Sequence, residues 1–269
     1  MSDLNESDKV AFVIASCDKY SDLWKPLFGQ IFKHWPNNPY QIYLIANHKE
    51  FNHPRVITLL AGDDQDWSST VMQSIKQLNE KYVLFWVDDA FLSGDVDVAR
   101  VNSLVSWFVD GDRNFLRMRP NPKPKYWLSN DIGILDYNQA YRVSLFSTLW
   151  KKEVLENILK RGESAWQFEV DGSERSQLYS HFYCTREEIF KYWHGVERGI
   201  WILPTVNQLR KLGYSIDGTQ RRIMTIAQTI GLQYRLFKSW ILHKIPEQQR
   251  SNALRFVRSC YYRLGLRKP

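Results

Sequence analysis

Residues 82–92 read YVLFWVDDAFL, and this stretch decides the fold. Its first six residues are apolar and rich in β-branched and aromatic side chains, which predicts a buried strand, and two adjacent carboxylates, Asp88 and Asp89, end the run. Open α/β sheets bind their ligands at the carboxyl ends of strands. Magnesium and manganese bind through one or two carboxylates together with the phosphates of a substrate. The pair is therefore a candidate metal or phosphate site, although an Asp-Asp pair can also simply begin a turn.

The sequence before this stretch alternates between the two periodicities of regular structure. Short β-forming runs and segments with apolar residues at helical spacing predict the order strand, helix, strand, strand, helix, strand over residues 10–15, 24–35, 41–46, 55–60, 68–79 and 82–87. Alternation of this kind predicts an α/β fold with a mostly parallel central sheet flanked by helices.

The sequence after the acidic pair carries weaker patterns. It predicts a helix over 98–109, a strand over 114–119, a strand over 140–149 that leads into a helix over 151–160, and the start of a further helix in 173–180. Segments 179–184 and 188–193 fit neither period. The second half of the sheet is therefore less well determined than the first.

Composition places the chain among globular proteins. It has 269 residues, of which 44% are hydrophobic, enough for a packed core. Cys17, Cys184 and Cys260 stand alone, which argues against a zinc site or a disulfide framework and favours a reducing cytoplasm. Residues 1–9 lack the basic and apolar segments of a signal peptide, and no apolar stretch reaches about 18 residues, so we expect no transmembrane helix.

The net charge of +7 is concentrated at the C-terminal end. Residues 211–269 contain 12 Lys and Arg but only two acids, whereas residues 1–210 contain 24 basic and 27 acidic side chains. Apolar residues recur at helical spacing over 221–245 and 248–264, with basic residues between them. Such helices suit an anionic membrane interface, and the alternative is that their apolar stripes pack on the rest of the chain or on a second copy as a homodimer.

Several segments together resemble the bacterial GT-A-type glycosyltransferases that build surface polysaccharides such as O-antigen, capsule and lipopolysaccharide. The likeness covers about residues 9–215, and its order and spacing carry it rather than any single motif. The acidic motif reads Val-Asp-Asp, where the commonest family form is Asp-X-Asp. The matching segments are Ser-Cys-Asp-Lys-Tyr at 16–20, Asp-Trp-Ser at 66–68, the stretch 82–92, Trp150, and Trp-Gln-Phe-Glu at 166–169.

The resemblance implies a nucleotide-sugar donor, with UDP as the expected nucleotide, and a domain over 1–215 followed by a basic helical tail over 216–269. Residues 1–120 would form the donor half and 121–215 the acceptor half. Asp89 is the expected ligand of a manganese or magnesium ion. The residues expected to contact the nucleotide sugar are Ser16, Asp18, Asp64, Trp67, Ser68 and Asp88.

For the acceptor half, the resemblance implies an acidic general base if the sugar is transferred with inversion. Glu169 is the candidate, because the neighbouring aromatic residues could stack on a sugar ring. Trp166 and Arg119 are candidate acceptor contacts, and His194 could complete the metal shell. The alternative for each of these residues is an ordinary structural or solvated side chain.

The leading hypothesis is a cytoplasmic glycosyltransferase, peripheral on the inner face of the cell membrane, acting on a lipid-linked or growing polysaccharide. The tail, residues 221–269, would bind the anionic membrane surface. One alternative is a non-catalytic component of a polysaccharide assembly complex. A nucleic-acid-binding protein is disfavoured, since no nucleic-acid module is recognisable, and we expect no nucleic-acid partner.

Overall fold

The apolar runs of the N-terminal half form four parallel strands. The structure, a computed structural model, describes residues 9–244, with side chains as far as residue 238. Parallel pairing in the order β3-β2-β1-β4 joins the strands β1 (Val10–Ala15), β2 (Gln41–Ala46), β3 (Val56–Leu60) and β4 (Tyr82–Val87). All four lie within one or two residues of the positions predicted from the sequence.

Five more strands extend this sheet to nine. The added strands are β6 (Phe115–Arg117), β7 (Tyr126–Trp127), β8 (Ile132–Ile134), β9 (Thr148–Lys151) and β10 (Phe182–Thr185). The order is β3-β2-β1-β4-β9-β6-β10-β8-β7, in which β8 and β9 run opposite to the other seven. The predicted α/β class with a mostly parallel sheet is confirmed.

The predicted strand over 140–149 is wrong for most of its length. Only its end belongs to β9, and residues 140–147 form an irregular segment that is nevertheless largely buried. Tyr141 and Ser147 have positive φ angles of 53° and 57°, which a strand does not allow. The apolar residues that imitated a strand are buried without sheet pairing.

Helices flank the sheet, and local caps set where three of them begin. Asp66 accepts a hydrogen bond from the Ser69 N–H, Asp97 accepts one from Arg100, and Ser164 forms a capping box with Gln167. The helix expected to start in 173–180 instead begins at residue 165. The helices are α1 (Ser21–His34), α2 (Trp67–Ile75), α3 (Val98–Asp110), α4 (Lys152–Ile158) and α5 (Ala165–Arg175).

The core lies on both faces of the central strands. β1 is buried along its whole length, as a strand covered by helices on both sides should be. Phe115 packs against Trp150 at a tilted angle, with ring centroids 4.4 Å apart, and both side chains are fully buried. Truncating such an aromatic residue to Ala typically lowers the free energy of unfolding by about 3–5 kcal/mol. The sheet is therefore a rigid support for the loops that follow its strands.

A small two-stranded ribbon lies beyond the end of β4. β5 (Ala90–Leu92) pairs antiparallel with β11 (Tyr192–His194), and the register places His194 opposite Ala90. The ribbon therefore brings a residue from late in the chain beside the acidic pair.

Residue contacts divide the chain into two units, 1–194 and 195–269. The second contains β12 (Val196–Glu197), β13 (Ile200–Trp201), α6 (Leu203–Lys211) and α7 (Ile226–Lys244). Residues 195–215, which we expected in the acceptor half, thus group with the C-terminal helices, and the expected functional halves stay predictions.

The first predicted tail helix is present as α7, which begins at residue 226 rather than 221. Leu232 packs into a small cluster with Ile202 and Met224, while Ile230 and Phe237 are more than half exposed. The second predicted tail helix, 248–264, lies outside the described residues. Over 9–244, no helix is both long and apolar enough to cross a membrane.

Candidate functional site

The carboxyl ends of β1 and β4 lie side by side, because Ala15 pairs with Val87 in the parallel register. The residues that follow, Ser16 and Asp88, therefore meet. The Ser16 hydroxyl donates to Asp88 Oδ2 at 2.5 Å and accepts a hydrogen bond from the Trp24 indole N–H at 2.7 Å. Asp88 is buried, with 8% of its surface exposed. This chain of hydrogen bonds holds its carboxylate in one orientation.

The neighbouring carboxylate has different surroundings. Asp89 Oδ2 lies 3.0 Å from His194 Nε2, although the two residues are 105 positions apart in the chain. Half of the His194 side chain and about a quarter of the Asp89 side chain are exposed. The predicted metal ligands are thus brought together at an open position, with an oxygen and an imidazole nitrogen pointing at each other.

A cleft of about 340 Å³ opens at this edge of the sheet. Seven residues in the loops after β1 and β4 and before α2 were expected to contact a donor or its metal. Five of them line the cleft: Ser16, Asp64, Trp67, Asp88 and Asp89. Trp67 is partly buried against Phe168, with ring centroids 5.4 Å apart. The remaining lining residues are Ala15, Cys17, Tyr20, Thr70, Val71, Val87, Leu145 and Ala165.

Asp18 does not line the cleft, and its carboxylate has other partners. It accepts backbone N–H hydrogen bonds from Asn47, His48 and Lys49, at 3.0 to 3.2 Å, and so anchors the loop after β2. Burial alone would raise the pKa of Asp18, but these donors outweigh it and hold the pKa below its ordinary value. Its visible role is to fix a loop.

Ser68 and Asp64 also differ from each other in access. Ser68 is fully buried, and its hydroxyl has no hydrogen-bond partner among the described residues. Asp64 lies at the edge of the cleft and pairs with the exposed Lys19 at 3.0 Å. Of the two, only Asp64 is placed to meet a ligand in the cleft.

Glu169 lies on α5 and contacts the irregular segment 140–147. Its Oε1 accepts the backbone N–H of Leu145 at 3.0 Å, and one turn later the Ser173 hydroxyl accepts the N–H of Val143 at 3.1 Å. Leu145 in turn lines the cleft. The helix and the segment are therefore joined into one wall, which we call the α5 wall, and Glu169 lies within it.

The two predicted acceptor contacts lie elsewhere. Trp166 is 64% exposed and lines a second groove, described below, rather than the cleft. Arg119 donates to the Ser144 hydroxyl at 3.0 Å, and its guanidinium lies 5.4 Å from the ring centroid of Phe146. Trp166 lies in the part of the chain expected to form the acceptor half, whereas Arg119 lies just before it, and neither residue lines the cleft.

Sequence reasoning missed Trp24, Leu145 and Ala165. Trp24 was assigned to the helix core by its spacing, and the spacing is correct, but its indole N–H also serves Ser16. Leu145 lies in the irregular segment that the apolar pattern wrongly predicted to be a strand. No local pattern could have shown that Leu145 and Ala165 line the same cleft or that Trp24 donates to Ser16.

The arrangement suits an anionic ligand that brings its own metal ligands. No group of three or more His, Cys, Asp or Glu side chains is placed to hold a metal ion within the part of the chain that the structure describes. Asp89 and His194 would supply two ligands of the kinds that manganese accepts, and the oxygens of a diphosphate could supply others. The donor set fits a metal shared with a phosphate-bearing substrate.

Comparisons with known proteins give likenesses among solved structures. No family model matches the chain, and no curated protein matches its sequence. The chain is similar to S. aureus TarS 1–349, at 10% identity with a TM-score of 0.47, covering 68% of this chain and 59% of that one. For the complex of TarS 1–349 with UDP-GlcNAc, the identity is 10%, the TM-score 0.47, and the coverage 90% and 69%.

A UDP-glucose pyrophosphorylase complexed with UDP-glucose is also similar, at 7% identity with a TM-score of 0.45, covering 69% of this chain and 91% of that one. The chain spans 59% and 38% of the lengths of the first two TarS structures.

Proposed function

We propose that this protein is a glycosyltransferase that moves a sugar from a nucleoside-diphosphate sugar, expected to be a UDP-sugar, to a lipid-linked or growing polysaccharide acceptor. One observation carries the proposal. Asp89 lines a cleft large enough for a small ligand at the carboxyl ends of β1 and β4, and its carboxylate lies 3.0 Å from His194. The adjacent Asp88 lines the same cleft and accepts a hydrogen bond from Ser16.

The chemistry of the leaving group explains why such a pair is needed. As the bond from the sugar to the diphosphate breaks, negative charge grows on the diphosphate, and it must be stabilised for the reaction to proceed. A manganese or magnesium ion, when bound, supplies that charge stabilisation without a proton transfer. Asp89 and His194 would hold this ion against the diphosphate.

The other cleft residues would orient the donor. Asp88 is held by Ser16 and would accept hydrogen bonds from ribose or sugar hydroxyls. The Trp67 ring borders the cleft and offers a flat apolar surface for a base or a sugar. Asp64 is the candidate for a second polar contact at the edge.

Glu169 is the proposed general base. In an inverting transfer the acceptor oxygen attacks the anomeric carbon, the bond to the diphosphate breaks, and the acceptor hydroxyl proton passes to the base. Glu169 Oε1 is bound to the Leu145 N–H, and the other oxygen, Oε2, has no hydrogen bond to any residue in the range 9–238. That second oxygen is the one available to take the proton.

The basic tail supports a place at the cytoplasmic face of the membrane. Ile226, Ile230 and Phe237 recur at helical spacing on α7 and are 71%, 52% and 55% exposed. Together with the basic residues of 221–269, such a stripe suits an anionic membrane surface, where a lipid-linked acceptor is found. The same stripe would also suit a homodimer.

A thermal-shift experiment tests the donor site directly. UDP, GDP, ADP and CMP are added to the full-length protein with and without manganese. Because a ligand that binds only the folded state raises the melting temperature, we expect UDP with manganese to raise it and Asp89→Asn to reduce the rise. If no nucleotide shifts the melting temperature under either condition, the proposed function is wrong.

A further inference from the structure

A second groove, of about 370 Å³, lies on the part of the chain formed by α5 and the residues just before Tyr141. Two exposed aromatic side chains, Trp166 and Tyr141, are 64% and 44% exposed there. A single exposed ring is ordinary, but two rings lining one groove offer a shared apolar surface to a ligand. The Gln139 amide nitrogen already donates to the Pro122 and Lys123 carbonyls. The residues of the groove that can contact a ligand through a ring or a polar group include Asn138, Tyr141, Trp166, Glu174 and Gln177.

The lining combines flat rings with neutral hydrogen-bonding groups. Amide side chains both donate and accept, as the hydroxyl groups of a sugar require, and an aromatic ring packs on the apolar face of a pyranose. The only charged side chain in the lining is Glu174, and none of the lining residues in this described part of the chain is Lys, Arg or His. A phosphate or carboxylate group would meet no cation there and one like charge.

The groove and the cleft share the α5 wall. On α5, Ala165 lines the cleft, whereas Trp166 and Glu174 line the groove. On the irregular segment, Tyr141 lines the groove and Leu145 lines the cleft. The two elements are joined by the Glu169 and Ser173 hydrogen bonds described above, so a ligand in the groove would rest against the structure that borders the donor site.

We propose that this groove binds an uncharged stretch of the acceptor glycan, at sugar units other than the one that reacts. That the bound glycan is the acceptor rests on the proposed function. The affinity of the groove for neutral oligosaccharides does not depend on it. Trp166 is the central contact, through stacking of its ring on a sugar. The groove thereby selects glycans whose bound units carry no phosphate, sulfate or carboxylate.

The test is direct binding without a donor. The full-length protein is applied to an array of neutral hexose, deoxyhexose and N-acetylhexosamine oligosaccharides, together with phosphorylated, sulfated and uronic-acid counterparts. The strongest neutral binder is then titrated calorimetrically against the wild type and variants. We expect Trp166→Ala to weaken binding about tenfold or more and Trp166→Phe to retain most of it, because a ring remains for stacking.

Trp127 provides the matched control. It is also an exposed Trp, at 38%, but it lies on β7 beneath the Arg186 guanidinium and outside the groove. Trp127→Ala should bind the glycan like the wild type. Wild-type affinity in Trp166→Ala, preferential binding of the anionic counterparts, or no binding to any array member would overturn the inference.

The outcome separates this inference from the proposed function. UDP-dependent thermal shifts measure the cleft, and Trp166→Ala should leave them unchanged. Glycan binding without any nucleotide binding would support the inference about the groove and contradict the proposed function. Nucleotide binding without glycan binding would support the proposed function and contradict the inference.

Discussion

The cleft and the groove of the N-terminal unit are built from opposite kinds of side chain. The cleft holds three carboxylates, Asp64, Asp88 and Asp89, and its polar groups are already fixed by protein partners. The groove holds exposed rings and neutral amides, with Glu174 as its single charge. Under the two proposals above, the cleft would bind an anionic ligand through a metal ion, and the groove would bind a neutral ligand by stacking.

The α5 wall lies between the cleft and the groove. Because Glu169 and Ser173 bind backbone N–H groups of the irregular segment, that segment can be ordered without sheet pairing. The segment held in this way presents Ala140 and Tyr141 to the groove and Leu145 to the cleft. Perturbing the cleft, the groove or the wall between them should therefore give separable effects.

The largest expected effect comes from Asp89→Asn. The substitution removes the charge that would hold the metal, so transfer should fall about 10³-fold or more in kcat/KM while glycan binding in the groove is unchanged. The measurement is product formation from a radiolabelled UDP-sugar, chosen from those that bind to the wild-type protein. Asp95→Asn, on an exposed carboxylate outside the cleft, is the matched control and should keep full activity. Equal activity in the two variants would remove Asp89 from the mechanism.

Two substitutions of Glu169 distinguish a base from a structural member of the wall. Glu169→Gln keeps an oxygen that can accept the Leu145 N–H but cannot take a proton, whereas Glu169→Ala loses both functions. If Glu169 is the base, both variants lose about 10²-fold or more in kcat. Near-normal kcat in Glu169→Gln with a defect only in Glu169→Ala would assign it to positioning alone.

His194→Ala is expected to have a smaller effect on metal binding than Asp89→Asn. Losing one of two protein ligands should raise the manganese concentration needed for the UDP-dependent thermal shift about tenfold, and excess manganese should restore the shift. His48→Ala, a largely exposed His that pairs with Asp63, serves as the control. An unchanged manganese dependence in His194→Ala would leave Asp89 without this partner.

Asp18→Ala should act on stability rather than on either ligand. Its carboxylate accepts hydrogen bonds from three backbone N–H groups. Losing such charge-assisted hydrogen bonds should lower the free energy of unfolding by about 1.5 kcal/mol or more. Because folding lowers the pKa of Asp18, its contribution is present above the ordinary value of 3.8 and is lost as the pH falls below it.

Chemical denaturation at pH 7 and at pH 3 checks this prediction. The difference between wild type and Asp18→Ala should shrink at the lower pH. A difference that is the same at both values would show that the charge of Asp18 does not matter to the loop it binds.

The strands and helices of the first half of the fold were predicted correctly because their apolar residues follow clear local periodicities. A run such as Tyr82–Val87 is apolar throughout, since a parallel strand is buried on both faces, and the helices between strands show their apolar stripes. The failure at 140–149 has the same origin. Burial without pairing produces a strand-like pattern, and the pattern alone cannot tell whether a neighbouring strand is present.

The sequence by itself determined that the chain is an α/β protein with an acidic pair at the end of a central strand. Only the tertiary structure decided that His194 lies against Asp89, that Ser16 fixes Asp88, and that Asp18 serves a loop instead of the cleft. The physical reason is distance along the chain. Periodicity reports on residues a few positions apart, whereas partners 72 or 105 positions apart meet only through strand order and register.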